Sequence, residues 1–261
     1  EQLEKIALNP RTDDATVAYL ASLPFKSIVD IVSNNQERML RCSDIVESLG
    51  NNPLTGRSVI DRILSFLGID GAAEDERRSE PEEISETEAE AVLRAVLGEE
   101  LGDFAQQLLE EGEEGSDASP EPDESSSMYS LIQKMTIVQK VKLARVGNKE
   151  ARSLLVRDRN RVIAMAAVMS PKISDNEIVS IAQSRNVCDD VLRAISRNRE
   201  WTRNYKVKQA LAMNPRCPLS DAMKYVNYLQ DKDLRGLVRS KDVPNAISTH
   251  ARRILMKKGK L

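Results

Sequence analysis

Apolar residues recur three and four positions apart along most of this chain, in short runs that end at small polar residues or prolines. Val191, Leu192 and Ile195 follow Asn186 and Asp189 in this way. That spacing predicts amphipathic helices. Breaks between apolar runs place helices every fourteen to twenty residues, with turns at Asp231 and near Pro244. No segment alternates apolar and polar residues as a half-buried strand would. The longest uninterrupted apolar run, "IAMAAVM" at 163–169, is far too short to span a bilayer.

One motif is written four times. The copies read "ALNPRTDDATVAYL", "GNNPLTGRSVIDRIL", "VMSPKISDNEIVSIA" and "AMNPRCPLSDAMKYV", each with a short polar residue before a proline: Asn9–Pro10, Asn52–Pro53, Ser170–Pro171 and Asn214–Pro215. The proline lacks an N–H and pushes its predecessor out of helical geometry, so a helix stops there. The Asn or Ser side chain can bond the freed backbone groups. Thr12, Thr55, Ser174 and Ser220 are the expected caps of the next helix, and "SDNE" at 174–177 has the form of a capping box. The copies stand 43 residues apart in the first pair and 44 in the second, and repetition at that period implies stacked supersecondary units.

Residues 71–127 break the pattern. Their flanks, "GAAEDERRSEPEEISE" and "EGEEGSDASPEPDESSS", are rich in Glu, Ser, Pro and Gly. Such composition buries too little apolar surface to offset its ordering entropy and reads as disordered linker. Between the flanks, residues 86–111 carry Val92, Leu93, Val96, Leu97, Leu101, Phe104, Leu108 and Leu109 at helical spacing, an amphipathic helix expected to break at Gly98 or Gly102. The expected fold is all-α: irregular helical-repeat, α-solenoid-like arrays in two blocks, 1–70 and 128–261, joined by this acidic, largely disordered linker.

Charge sharpens the division. Residues 71–127 hold 3 basic and 20 acidic residues, whereas 128–261 hold 28 basic and 11 acidic; the whole chain, 261 residues long, has a net charge of −3. Aromatic residues make up only 3% of the chain, so the core falls to Leu, Ile, Val, Ala and Met. Cys42, Cys188 and Cys217 are too sparse and scattered for a disulfide framework or a zinc site, which points to the cytoplasm.

The Asn-Pro corners followed by short capped helices resemble leucine-rich-repeat-variant and HEAT-like helical repeats of bacterial proteins, over about residues 1–67 and 130–257. The repeat here is longer and less regular than the usual variant unit. The resemblance implies a helical array with a binding surface. Two activities found beside such repeats do not carry over. The iron–sulfur cysteine cluster has no counterpart among Cys42, Cys188 and Cys217, and the paired tryptophans of HEAT-like DNA glycosylases are reduced to Trp201.

Catalytic chemistry finds little material. His250 is the single histidine, in "ISTHARRIL", and reads as a surface or capping residue. No phosphate loop, dinucleotide fingerprint or nucleophile elbow is present. Asp189 and Asp190 are adjacent, so on a helix they face different ways. Cys188 and Cys217 fall at cap and corner positions. No catalytic residue, metal or cofactor is expected.

The sharper signal is basic. "VLRAISRNREWTRNYKVKQA" interleaves Arg193, Arg197, Arg199, Arg203, Lys206 and Lys208 with Trp201 and Tyr205, and "VRDRNRV" adds Arg157, Arg159 and Arg161. Three readings follow. Arg193, Arg197, Arg199, Trp201, Arg203 and Lys206 contact an acidic protein partner, including the chain's own linker, which is tethered at high effective concentration. Alternatively the same ridge tracks a nucleic-acid backbone, with aromatics for stacking. Or the arginines are a solvated face and corner residues that bond nearby carbonyls. The first reading makes the chain a non-enzymatic helical-repeat scaffold for protein–protein interaction.

Overall fold

The structure, a computed structural model, describes residues 2–67 and 122–259. Among these residues every regular element is a helix. The expected helix at 86–111, and with it residues 71–121 of the acidic segment, lies outside the described residues, while residues 122–127 open a helix of their own.

Two compact units divide the chain, Glu1–Lys172 and Ile173–Leu261. Charge changes at the end of the acidic segment; packing changes at the third proline corner. The first unit contains α1 (Gln2–Leu8), α2 (Asp14–Ser22), α3 (Lys26–Ser33), α4 (Gln36–Arg41), α5 (Ser43–Asn51) and α6 (Arg57–Phe66). It continues with α7 (Pro122–Lys134), α8 (Ile137–Val146), α9 (Lys149–Leu155) and α10 (Arg161–Val168). The second unit contains α11 (Asp175–Gln183), α12 (Asp189–Arg197), a 3₁₀ turn (Trp201–Arg203) and α13 (Tyr205–Met213). After these come α14 (Leu219–Val226), α15 (Asp231–Arg239) and α16 (Asn245–Lys257).

Helices are shorter and more frequent than the sequence pattern suggests. Between α2 and the second corner stand three helices, because the chain also breaks at Phe25, at Asn34–Asn35 and at Cys42. In the first unit α1 packs on α3, α2 on α5, α3 on α6, and both α5 and α6 on α10. In the second, α11 packs on α13, α13 on α14, and both α14 and α15 on α16. Ile28, Ile45, Leu49, Ile60 and Ile63 fill the first core around α5 and α6; Leu143, Ile163 and Met165 extend it through α8 and α10.

The proline corners explain how these helices are held. Asn52 is 2% exposed, and its side-chain amide donates to the carbonyls of Ala21 at 2.7 Å and Leu23 at 2.8 Å. Those are the residues immediately before and after Ser22, the last residue of α2. Its Oδ1 accepts the Leu54 N–H at 3.0 Å. Asn214 repeats the arrangement. It is 3% exposed, donates to Ala182 and Ser184 on either side of the last residue of α11, and accepts from Arg216 at 2.9 Å. An amide carries two donors and one acceptor group, so one asparagine stops its own helix and satisfies orphan carbonyls on another. Ser170 has only a hydroxyl and makes one such bond, to the Arg145 carbonyl at 3.1 Å near the end of α8. At the first corner the Asn9 side chain is exposed and accepts the Arg11 N–H at 3.0 Å.

Arginines fasten the corners from outside. Arg38 is buried and points its guanidinium at the carbonyls of Asn9, Pro10 and Thr12, at 2.7–2.9 Å. Arg161 reaches the second corner, donating to Thr55 O at 2.9 Å and Asn52 O at 3.4 Å. Arg161 thereby ties α10 to the N-terminal helices, and Asn160 sits against Gly50 so closely that a Cβ there would lie 2.1 Å from its Oδ1.

Three of the four expected helix caps act differently. The Thr12 and Thr55 hydroxyls turn back to Ile6 O and Leu49 O, each at 2.7 Å, bracing the helix that has just ended. Asp13 caps α2 instead. Ser220 lies inside α14, which starts directly after Pro218. Ser174 does cap α11, in a full capping box with Glu177.

The clasp predicts that Asn52→Ala and Asn214→Ala each cost about 2–3 kcal/mol in chemical denaturation, against less than about 1 kcal/mol for Asn9→Ala. Asn→Asp at 52 or 214 costs more than Ala, because it turns a two-carbonyl donor into a buried acceptor facing them. Equal losses at positions 9, 52 and 214 would contradict the clasp.

Candidate functional site

The basic ridge lies in the second unit and is framed by two asparagines. On α12, Val191, Leu192, Ala194 and Ile195 face inward, which leaves Arg193 half-buried and Arg197 exposed. Arg193 stands 3.8 Å from Asp190, three residues earlier on the same helix. Arg197 occupies the last turn, where a cation complements the helix's negative end. Asn198 then stops the helix, and its Oδ1 accepts the N–H groups of Glu200 at 2.9 Å and Trp201 at 3.4 Å. This turn carries Arg199 and Arg203 outward and leaves Trp201 half-buried. Asn204 starts α13 by accepting the Lys206 N–H at 3.0 Å, with Lys206 exposed in the first turn.

The six expected residues therefore fall into two groups. Arg197, Arg199, Arg203 and Lys206 are exposed cations that hold no ion pair among the described residues. Arg193 has a carboxylate neighbour, and Trp201 is only partly exposed. Asp189 and Asp190 diverge as expected: Asp189 is exposed and 3.5 Å from Arg216, while Asp190 is buried. Of the upstream arginines, Arg157 and Arg159 are exposed, but Arg161 belongs to the corner that it grips.

The aromatic residues divide similarly. The Tyr205 hydroxyl donates to the Asp233 carboxylate and accepts the Gln230 N–H at 2.9 Å, while Gln209 donates to the other Asp233 oxygen at 3.0 Å. Burial, helped by the bond to Asp233, pushes the Tyr205 hydroxyl up in pKa. Tyr205 thus fastens α13 to α15 and is not a stacking platform. Tyr228 is 61% exposed, with the Lys208 ammonium 5.4 Å from its ring centroid. Sequence reasoning passed over Tyr228; its place at the end of α14, three residues after the buried Tyr225, was the available signal.

Reactive side chains outside the ridge are quiet. His250 sits in mid-α16 with Nε2 3.0 Å from Oδ1 of Asn227, the residue that ends α14. Cys42 and Cys188 stand half-buried at the starts of α5 and α12, and Cys217 is buried in the fourth corner. Burial pushes the Cys217 thiol up to about 12, so it stays protonated at neutral pH. Among the described residues no cluster of three or more His, Cys, Asp or Glu side chains is arranged to hold a metal ion, and no helix is long and apolar enough to cross a membrane.

Compared with known protein families, curated proteins and solved structures, the chain has no match.

Thiol labelling reads the corner directly. At pH 8 Cys42 and Cys188 are expected to react with a maleimide while Cys217 stays protected until denaturant is added. The folded-state pKa of Cys217 lies above its unfolded value, so its contribution to stability is intact below about pH 9 and declines as pH rises toward 12. Cys217→Ala should flatten that alkaline decline. Labelling of Cys217 as fast as Cys42 in the native protein would contradict its place in the core.

Proposed function

We propose that this chain is a non-enzymatic helical-repeat scaffold whose basic C-terminal unit holds an acidic protein partner. The observation that carries the reading is the sorting of the cations. Arg38 and Arg161 are consumed by the corners, whereas Arg197, Arg199, Arg203 and Lys206 stand exposed and unpaired among the described residues within one short stretch. A fold spends nothing on such cations, and carboxylates brought to them gain charge-assisted hydrogen bonds. The unit from Ile173 to Leu261 holds 18 Lys and Arg against 9 Asp and Glu, which favours acidic partners over long range.

The repeated asparagine clasp supports the helical-repeat, solenoid-like, HEAT-like part of the proposal, since the Asn52 and Asn214 corners each fix one helix against an earlier one in the manner of stacked units. The chain's own acidic residues 71–127 are a second candidate for the partner, tethered to the cations they would neutralise. The proposed setting is the bacterial cytoplasm, in keeping with three cysteines that form no disulfide.

Nucleic acid is the second reading, and one observation favours it: Tyr228 offers an exposed ring beside Lys208, as a base-stacking surface would.

A single experiment separates the two. The full chain is titrated with labelled polyglutamate and with labelled single- and double-stranded DNA and RNA over a salt series. The scaffold reading predicts polyglutamate binding that weakens about tenfold or more when Arg197, Arg199 and Arg203 are changed to Glu, without loss of the folded state. Tight nucleic-acid binding that falls steeply with salt and depends on Tyr228 would overturn it in favour of the second reading. Polyglutamate binding that ignores the three reversals would remove the ridge.

A further inference from the structure

The second unit carries a hollow of about 310 Å³ between α14 and α16, apart from the six ridge residues. Met223, Asn245, Ala246, Thr249, His250 and Arg253 line it. Its lining is predominantly apolar, and Met223 and Ala246 are the apolar residues among those that line it. Polar groups stand around that floor. The His250 ring is fixed by Asn227, and Arg253 is exposed with no ion pair among the described residues. Every residue on the α16 side arises from helical spacing, since 246, 249, 250 and 253 fall on one face.

Size and charge together define what fits. A volume near the lower limit of ligand sites holds one bulky side chain rather than a cofactor. The charge around it is one-sided: α16 contains Arg252, Arg253, Lys257 and no carboxylate. On α14, Lys224 is exposed and the one carboxylate, Asp221, is half-buried. We infer that this hollow is a docking slot for a bulky apolar side chain of an acidic peptide, whose flanking carboxylates pair with Arg253 and the neighbouring cations of α16. The slot deepens the scaffold reading and rests on it: the ridge attracts acidic chains in general, and the slot selects those with an aromatic or large aliphatic residue among the acids. The guanidinium fork suits a carboxylate held in two hydrogen bonds, so Arg253 also fixes the peptide's register.

The test uses the full chain and a short labelled peptide of glutamates around one central phenylalanine. The same peptide with glycine in place of phenylalanine is the control. The phenylalanine peptide is expected to bind at least tenfold tighter. Ala246→Trp, at an exposed position where the indole fills the hollow, should erase that preference, and Arg253→Gln should weaken binding without touching the melting curve. Methyl NMR locates the contact independently of either variant: of eight methionines, Met223 should show the largest shift on adding the phenylalanine peptide. Equal affinity for both peptides, or an unmoved Met223 methyl, overturns the slot. If reversal of Arg197, Arg199 and Arg203 weakens binding while Ala246→Trp does not, the slot is wrong and the ridge stands. If neither peptide binds at low salt, both are wrong.

Discussion

A buried asparagine amide that ends one helix while holding the end of another is the interaction on which this structure rests. Each helix leaves its last carbonyls without partners, and a chain of many short helices multiplies that problem. Asn52 and Asn214 solve it twice over, with two donated bonds and one accepted bond each. The following proline contributes what the amide cannot, a backbone that refuses to continue the helix. Geometry rather than hydrophobicity alone therefore sets which helix lies against which. Alanine-rich helices such as α10 can then pack closely, since Val162, Ile163, Ala164, Met165, Ala166, Ala167 and Val168 are all buried.

The same constraint sorts the charges. Carbonyls gathered at a corner make a small negative well, and a guanidinium with its planar set of donors suits it better than an ammonium. Arg38 and Arg161 are thereby structural, and their charge is spent inside the fold. The arginines around the 3₁₀ turn after α12 meet no such well, because the carbonyls of Asn198, Glu200 and Trp201 already accept the N–H groups of Thr202, Arg203 and Asn204, and Asn198 O accepts the Thr202 hydroxyl as well. Among the described residues, Arg197, Arg199, Arg203 and Lys206 are left without a carboxylate partner, and the proposed binding role follows from that surplus.

Much of the fold was legible in the residues because helix punctuation is local. The spacing of apolar positions gave helices, the short-residue–proline pairs gave all four corners, and Ser174 with Glu177 gave a capping box that forms as read. What failed was long-range or competitive. Thr12 and Thr55 were read as caps for the helix ahead, but the carbonyl six residues behind lies nearer once the corner has closed. More helices form than the pattern predicts because the break at Cys42 uses no side-chain cap and carries no punctuation, while Pro24, ahead of the break at Phe25, lacks the short polar residue before it that marks the four corners. Within the ridge, Arg197, Arg199, Arg203 and Lys206 were recognisable as basic. That Arg161 is committed to a corner over 100 residues away, and Tyr205 to Asp233, depends on tertiary contacts that periodicity does not encode. The hollow between α14 and α16 had no sequence signal beyond the spacing of its α16 residues.

The central claim is that two asparagine amides are buried donors to distant carbonyls, and hydrogen exchange of side-chain amides in the ¹⁵N-labelled chain measures it most directly. The clasp predicts that the NH₂ groups of Asn52 and Asn214 exchange orders of magnitude more slowly than that of Asn9, whose side chain accepts a single exposed bond. Exchange of Asn52 and Asn214 at the rate of Asn9 would contradict it.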